Sequence, residues 1–177
     1  MDHIRRVELL DAAVDHVIGS GLTDLSFRPL ADALGVSTTT LVHHFGSKEQ
    51  MLATVLNRMR VRILADTTHA EFSDGGLPSA AQRVWSWSTA PTHEPTFRTF
   101  FAAYGLALQH PDRFEDFLAN VVADWQRFFS AHQKGSHEPE RITLTIAVIR
   151  GLLLDLLTTG DRRRVNQAFT TFIDTLT

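Results

Sequence analysis

Apolar residues recur at helical spacing along most of this chain. The first apolar stripe ends at the stop signal Ser20-Gly21 and comprises Ile4, Val7, Val14, Val17 and Ile18. The second begins after Ser47 and comprises Met51, Leu52, Val55, Leu56, Met59, Ile63 and Leu64. Strand signals are nearly absent. The pattern therefore predicts an all-α fold with about nine helices and no sheet.

Breaks between the stripes divide the chain further. The clearest predicted loop is Ser73-Asp74-Gly75-Gly76, and a second loop is predicted at residues 133–138. Gly160-Asp161 combines a helix stop with the N-cap of a following helix. These breaks predict a series of separate helices after the long second stripe.

Composition narrows the class of protein. The 177 residues include no cysteine, which excludes disulfides, zinc ribbons and thiol catalysis. The formal net charge is −3 and the mean hydropathy is −0.06, values that are ordinary for a globular chain. No run approaches about 18 uninterrupted apolar residues, and the N-terminus does not resemble a signal peptide. We expect a soluble, cytoplasmic protein with no membrane partner.

The segment from Ser26 to Phe45 has the spacing of two short helices joined by a tight turn. Ser26 and Ser37 are candidate N-caps, and Gly35 stands where the first helix must end with a positive φ. Ala31 lies on the first helix at the point where the second helix must cross it, and its small side chain allows the two helices to pack closely. This spacing is that of a helix-turn-helix, whose second helix enters the major groove of DNA. A generic helical hairpin with a glycine turn is the alternative.

The residues that follow favour the DNA-binding interpretation. Together with Phe45-Gly46-Ser47-Lys48-Glu49, the segment resembles the TetR family of transcriptional repressors over about the first 55 residues. A weaker resemblance covers residues 150–157 and Gly160-Asp161. It implies a three-helix helix-turn-helix domain at residues 1–46 and a helical ligand-binding and dimerisation domain at 47–177. It also implies a homodimer that binds a pseudo-palindromic operator and a small-molecule effector.

The resemblance assigns DNA contacts to a compact set of polar residues. Thr38, Thr39 and His43 are candidates for base readout, and Lys48 for a phosphate contact, with a merely solvated face as the alternative. The family usually has Tyr where this chain has Val42, which can offer only an apolar contact. The predicted DNA-binding set is Ser26, Arg28, Ser37, Thr38, Thr39, Val42, His43, His44 and Lys48.

The charge of the N-terminal segment is unusual for a DNA-binding module. Residues 1–50 contain four basic and seven acidic side chains. Non-specific affinity scales with the number of phosphates neutralised, so we expect it to be modest. We also expect the acidic residues of the first helix to face away from DNA.

Aromatic residues are concentrated in the middle of the chain. Eleven of the sixteen lie between Trp85 and Phe129. Core packing is the plain interpretation, but the family uses the corresponding helices to enclose a ligand cavity, and such cavities are often lined by aromatic side chains. The predicted ligand-binding residues are Trp85, Phe97, Phe101, Tyr104, Phe117, Trp125 and Phe128.

The helix predicted from Arg141 to Thr158 is apolar on two faces, so both need to be covered. A fully buried central helix is one interpretation. The family forms its dimers through this helix and the next, which favours a dimer contact. The predicted interface residues are Leu144, Val148, Gly151, Phe169, Phe172 and Ile173.

No cofactor, metal site or catalytic residue is predicted. The nine histidines lack ligand spacing, and His43 and His44 are adjacent, so they point to different sides of a helix. The chain also lacks the G-x-S-x-G, G-x-G-x-x-G, P-loop and H-E-x-x-H motifs. Two alternatives remain: a small-molecule-binding helical enzyme, and a regulator that has no ligand pocket and is controlled by a protein partner.

Overall fold

The computed structural model describes residues 2–22, 25–68, 75–133 and 138–176. These residues form ten α-helices and one 3-10 turn, without a strand among them, which confirms the all-α prediction. Of the predicted loops at 73–76 and 133–138, residues 73–74 and 134–137 lie outside the described residues, and Gly76 is the first residue of α5 instead of a loop residue. The helices are α1 (Asp2–Ser20), α2 (Phe27–Leu34), α3 (Thr38–Phe45), α4 (Lys48–Thr68), α5 (Gly76–Ser88), α6 (Glu94–Gln109), α7 (Glu115–Val121), α8 (Ala123–Ala131), α9 (Pro139–Thr159) and α10 (Arg162–Asp174), with the 3-10 turn at Pro91–His93.

The chain divides into two compact units. The first comprises residues 1–63 and 98–119, and the second comprises residues 64–97 and 120–177. In the first unit, α1, α2 and α3 form the predicted three-helix module. Its fully buried apolar side chains include Val14, Val17, Met51, Val55 and Leu56 of the two predicted stripes. Leu30, Leu41 and Phe117, which lie outside those stripes, are fully buried as well.

The second unit is built on α9, which packs against α5, α8 and α10. One face of α9 is buried and consists of Ile142, Thr145, Ile146, Ile149, Leu153 and Leu156. Trp85 of α5 stacks on Phe169 of α10 with ring centroids 4.6 Å apart, and its Nε1 donates to Asn166 Oδ1 at 3.1 Å. The predicted apolar stripe of the last helix therefore faces the core of this unit.

Three arginine side chains donate to backbone carbonyls at or just beyond the C-terminal ends of α10, α7 and α5. Arg141 donates to the carbonyl of Leu176 at 2.5 Å, and Arg150 donates to that of Val121 at 2.5 Å. Arg162 donates to the carbonyl of Thr89, the C-cap of α5, at 2.7 Å. Carbonyls at a helix C-terminus lack partners within the helix, so these cationic donors satisfy them.

Helix α9 is also long and apolar enough to cross a membrane by length and composition, and a third of its most apolar window is buried within the chain. The buried third is the face toward the core of the second unit. Leu144 and Leu154 lie on the opposite side and are 57% and 50% exposed. The prediction of two apolar faces on this helix is thus confirmed, and one of them is uncovered in the single chain.

Candidate nucleic-acid interface

The turn between α2 and α3 depends on Gly35. This residue adopts φ 63° and ψ 32°, and the neighbouring Val36 N–H donates to Ala31 O at 3.0 Å. L-residues with a Cβ rarely adopt this left-handed conformation, whereas glycine adopts it without strain. Ala31 is buried, as are Leu30 and Leu41. The predicted glycine turn and small crossing residue are confirmed.

The two predicted serine caps differ in the structure. Ser37 caps α3, since its Oγ accepts a hydrogen bond from Thr40 N at 3.1 Å and lies 2.8 Å from Thr40 Oγ1. Ser26 occupies the N-cap position of α2 with extended backbone, but its side chain makes no cap hydrogen bond. The prediction that the Ser26 hydroxyl caps α2 is therefore wrong. A serine at the N-cap position caps the helix only if its hydroxyl accepts a hydrogen bond from a backbone N–H of the first turn, and Ser26 makes no such bond.

Helix α3 has one buried side and one exposed side, and the exposed side is mostly polar. Leu41 and Phe45 are buried and hold the helix to the first unit. Thr38, Thr39 and His43 are exposed, as is Val42 at 48%. His44 is half-buried, with its ring centroid 5.4 Å from that of His43 in an edge-to-face arrangement. The exposed face of α3 therefore consists of the residues predicted to read bases, together with Val42.

The junction from α3 to α4 is fixed by a reciprocal cap. Ser47 Oγ accepts from Gln50 N at 3.2 Å, and Gln50 Oε1 accepts from Ser47 N at 2.8 Å. Gly46 precedes this cap with φ 75°. Sequence reasoning missed Gln50, although the Ser-x-x-Gln spacing is the signal for such a cap. The junction holds exposed Lys48 at the start of α4, where it can meet a phosphate.

The remaining predicted DNA-binding residues lie close to these in the sequence. Arg28 is exposed on the first turn of α2, and Ser26 is half-buried just before it. Both belong to the same three-helix module as α3. The structure therefore carries all nine predicted residues on α2, α3, their caps and the first residue of α4.

Two acidic residues of α1 are paired with α4. Arg58 donates to both carboxylate oxygens of Asp11, at 2.6 and 2.7 Å, and Arg62 forms an ion pair with Asp15 at 2.6 Å. The hydrogen bond from Arg58 holds the pKa of Asp11 below its usual value, and the nearby positive charges act in the same direction. Asp11 and Asp15 therefore face a pair of arginines on α4, which offsets their negative charge.

The predicted ligand-binding residues fall into both units. Phe101, Tyr104 and Phe117 belong to the first unit, where the Tyr104 and Phe117 ring centroids are 6.0 Å apart. In the second unit, Trp125 and Phe128 are edge-to-face with centroids 5.8 Å apart. The other two predicted residues of this unit, Trp85 and Phe97, are buried.

The predicted dimer residues divide into an exposed and a buried group. Leu144 and Gly151 are exposed, and Val148 and Phe172 are half-buried. Phe169 and Ile173 are only 5% and 6% exposed, because Phe169 stacks on Trp85 and both residues face the core. The structure therefore buries Phe169 and Ile173 within the second unit, contrary to the prediction that they lie on an outer face. Leu154, one turn beyond Gly151, is exposed.

No cluster of metal-ligating residues is present among the described side chains. The candidate site is therefore a surface of hydroxyl, imidazole and cationic groups on a helix-turn-helix. Such groups can donate and accept hydrogen bonds at base edges and phosphates.

Comparison with known proteins agrees with this geometry. Residues 9–55 match the family model described as bacterial regulatory proteins, tetR family. The chain is 24% identical over 114 residues to the HTH-type transcriptional regulator BetI of Paraburkholderia phymatum and 28% identical over 118 residues to that of Burkholderia thailandensis. These matches cover 63% and 55% of the chain, and the chain spans only 58% and 60% of the two relatives.

Solved structures share the fold over nearly the whole chain. A transcriptional regulator from Rhodococcus sp. Rha1 superposes with a TM-score of 0.77 at 23% identity, covering 96% of this chain and 94% of that one. The multidrug binding protein EbrR complexed with ethidium gives a TM-score of 0.72 at 19% identity, covering 95% and 98%.

The fold and the exposed face of α3 define a protein that carries a helix-turn-helix module. Over residues 9–55 the chain matches the tetR family of bacterial regulatory proteins, the family that its sequence resembles. The family model is described as bacterial regulatory proteins and the relatives as HTH-type transcriptional regulators, so the names of these similar proteins do not favour the enzyme alternative.

Proposed function

We propose that this chain is a sequence-specific DNA-binding transcriptional regulator, most simply a repressor that a small, largely apolar ligand releases from its operator. The exposed polar face of α3, next to Lys48, is the observation that carries this proposal. A regulator that binds chromosomal DNA would act in the bacterial cytoplasm.

Each side chain at this face has a chemical role in the proposal. Thr38, Thr39 and His43 bear hydrogen-bonding groups that can meet base edges in the major groove. Lys48 supplies a positive charge for a phosphate. Val42 supplies an apolar surface that fits a thymine methyl group. Base contacts and phosphate contacts come from adjacent turns, so one rigid module can provide both specificity and affinity.

A homodimer completes the proposed DNA-binding unit. Leu144, Val148, Gly151 and Leu154 share an apolar strip on α9 that the chain leaves uncovered. A second copy with the same strip can cover it through a two-fold interface, and a two-fold protein requires a pseudo-palindromic operator. The division at residue 46/47 into a DNA-binding part and a ligand-binding and dimerisation part remains a proposal about function.

The proposed effector binds among the aromatic side chains of the middle of the chain. EbrR, whose fold this chain shares, has been solved with proflavin and ethidium, which favours a ligand of similar ring character. Helix α4 continues without a break from Lys48 to Thr68 and begins just after α3 ends. A ligand that prefers one position of α4 would therefore alter the orientation of α3. Its effect on DNA affinity equals its differential affinity for the two positions, typically about 1–3 kcal/mol.

Selection of duplexes from a random library tests the DNA-binding proposal. The enriched sequence should be an inverted repeat. Lys48→Ala should weaken binding to every sequence and reduce the salt slope by about one unit, while Thr39→Ala should change the preferred sequence. Arg163→Ala, an exposed cation of α10, is the matched control and should leave both unchanged. An unchanged salt slope for Lys48→Ala would exclude the proposed phosphate contact.

The effector proposal needs a second experiment. Aromatic and apolar compounds are first screened for an increase in the melting temperature, and each hit is then tested for release of the selected duplex. Compounds that stabilise the protein but never change operator affinity would contradict the allosteric part. Absence of any hit would favour the alternative in which a protein partner regulates the chain.

A further inference from the structure

Two residues, Gly46 and Ser47, connect the end of α3 to the start of α4. The Gly46 N–H donates back to Val42 O of α3 at 2.8 Å. The Ser47 N–H donates forward to Gln50 Oε1 of α4 at 2.8 Å. Each N–H group of the connection is therefore held by the helix on its own side, which restricts rotation of the peptide units between the two helices.

The side chain of Gln50 is ordered by this hydrogen bond and not by core packing. The residues that anchor the two helices are buried, since Phe45 is 4% exposed and Met51 is 0% exposed. Gln50 is exposed, like Ser47. A glutamine held in one conformation loses rotamer freedom, and at an exposed position it gains little from burial of apolar surface. The hydrogen bond to Ser47 N is thus the interaction that offsets this cost.

Gly46 leaves the space that the Gln50 amide occupies. A Cβ atom at Gly46 would overlap Gln50 Oε1 and would lie 3.1 Å from its Cδ atom. Gly46 also has φ 75°, a backbone conformation that residues with a Cβ rarely adopt. Any side chain at position 46 would therefore displace the amide from Ser47 N, so Gly46 and Gln50 form a coupled pair.

An uncharged acceptor suits this position. The neighbouring Glu49 is a carboxylate whose pKa is lowered by hydrogen bonds from its own backbone N–H and from the Ser47 hydroxyl. A capping box accepts either Glu or Gln at the position of Gln50. The amide supplies the acceptor without adding a second carboxylate beside Lys48, where the proposed function places a DNA phosphate.

We propose that Gln50 is a positioning residue for DNA binding. By holding the Ser47 N–H, it keeps α3 and Lys48 in the arrangement that contacts bases and phosphate together, and it does not itself touch DNA. This inference rests on the proposed DNA-binding function. Without the amide, the connection adopts other arrangements, and the apparent affinity falls with the fraction of molecules that remain competent to bind. The loss of one hydrogen bond corresponds to about a fivefold effect.

A fluorescence-anisotropy titration of the selected duplex, repeated over a range of salt concentrations, tests this role. Gln50→Ala should bind every sequence about fivefold more weakly. The salt slope and the preferred sequence should not change, because no contact with DNA is lost. Gln167→Ala, at an exposed glutamine of α10 in the second unit, is the matched control and should bind like the wild type.

The possible outcomes separate this role from the proposed function. A smaller salt slope or a changed preferred sequence for Gln50→Ala would show that Gln50 contacts DNA directly, and an unchanged affinity would show that it has no part in binding. Either result overturns the positioning role. A wild-type chain that binds no duplex would instead contradict the proposed DNA-binding function.

A double-mutant cycle tests the coupling of Gly46 with Gln50. Gly46→Ala should weaken binding for two reasons, because its Cβ displaces the amide and because alanine strains the backbone at a positive φ. In the Gln50→Ala background only the strain remains, so the double variant should bind like Gly46→Ala alone. Losses that multiply would show that the two residues act independently, which would overturn the coupling.

Hydrogen exchange at the Ser47 N–H tests the geometry without DNA, whether or not Gly46→Ala folds. The exchange should be about fivefold faster in Gln50→Ala than in the wild type. Gln50→Glu retains an acceptor and should restore the slow exchange. Equal exchange in Gln50→Ala and the wild type would show that the amide does not hold the connection, and the positioning role would be wrong.

Discussion

Arg58 of α4 holds both carboxylate oxygens of Asp11 of α1, at 2.6 and 2.7 Å. The two residues are 47 positions apart, so this contact joins the first helix of the recognition module to the long helix that follows it. Arg62 and Asp15 repeat the pairing one turn further along both helices. Any movement of α4 that the proposed effector causes must therefore also act on α1.

Asp11→Asn removes the ion pair with Arg58 and should destabilise the protein. The loss should be only about 1 kcal/mol, because both side chains of the pair are about one-third exposed and solvent screens their charges. The pKa of Asp11 in the folded state lies below its ordinary value of 3.8. The pair therefore stabilises the fold fully above that value and loses its effect as the pH falls through the folded-state pKa. Urea unfolding of both proteins from pH 3 to pH 7 should show the difference shrinking only at the acidic end. A difference that is constant down to pH 3 would contradict this account.

Val42→Tyr should increase operator affinity. Val42 is 48% exposed on the proposed DNA-facing side of α3, so a tyrosine can extend toward the backbone and donate its hydroxyl to a phosphate oxygen. One such hydrogen bond corresponds to about a fivefold gain in affinity. Val42→Phe, which lacks the hydroxyl, is the control in a fluorescence-anisotropy titration. If phenylalanine gives the same gain, apolar contact and not the hydrogen bond is responsible.

Gly151→Leu should convert the proposed dimer to a monomer without unfolding the chain. A Cβ atom at Gly151 meets no atom within 4 Å in the single chain, so a side chain there is tolerated in the monomer. At a close two-fold contact, the same leucine would overpack the interface. Gly105→Leu is the matched control, because Gly105 is also an exposed helical glycine with open space around it. Sedimentation at micromolar concentration should give a dimer for the wild type and the control, and a wild-type monomer would remove the dimer proposal.

Trp85→Ala should destabilise the second unit by about 3–5 kcal/mol, the usual cost of truncating a large buried aromatic side chain. Trp85 is 6% exposed and its ring stacks on Phe169, so the substitution leaves a cavity in the core. Trp125→Ala, at a half-buried position, should cost less. Thermal unfolding distinguishes the two, and equal melting temperatures for Trp85→Ala and the wild type would show that Trp85 is not a core residue.

The sequence by itself determined the local features of the recognition module. A cap, a glycine turn and a small crossing residue depend on neighbours within a few positions, so Ser37, Gly35 and Ala31 could be assigned from spacing. The exposed face of α3 followed from helical periodicity for the same reason. Gln50 was accessible to the same reasoning, since its cap partner is three residues away.

Only the tertiary structure decided which partner each distant residue meets. Helical periodicity places Phe169 and Ile173 on one apolar stripe but does not distinguish a stripe that faces the chain's own core from one that faces a second copy. The pairing of Asp11 with Arg58 likewise depends on how separate helices pack. Packing is set by the combined shapes and charges of many side chains far apart in the sequence, so no local pattern records it.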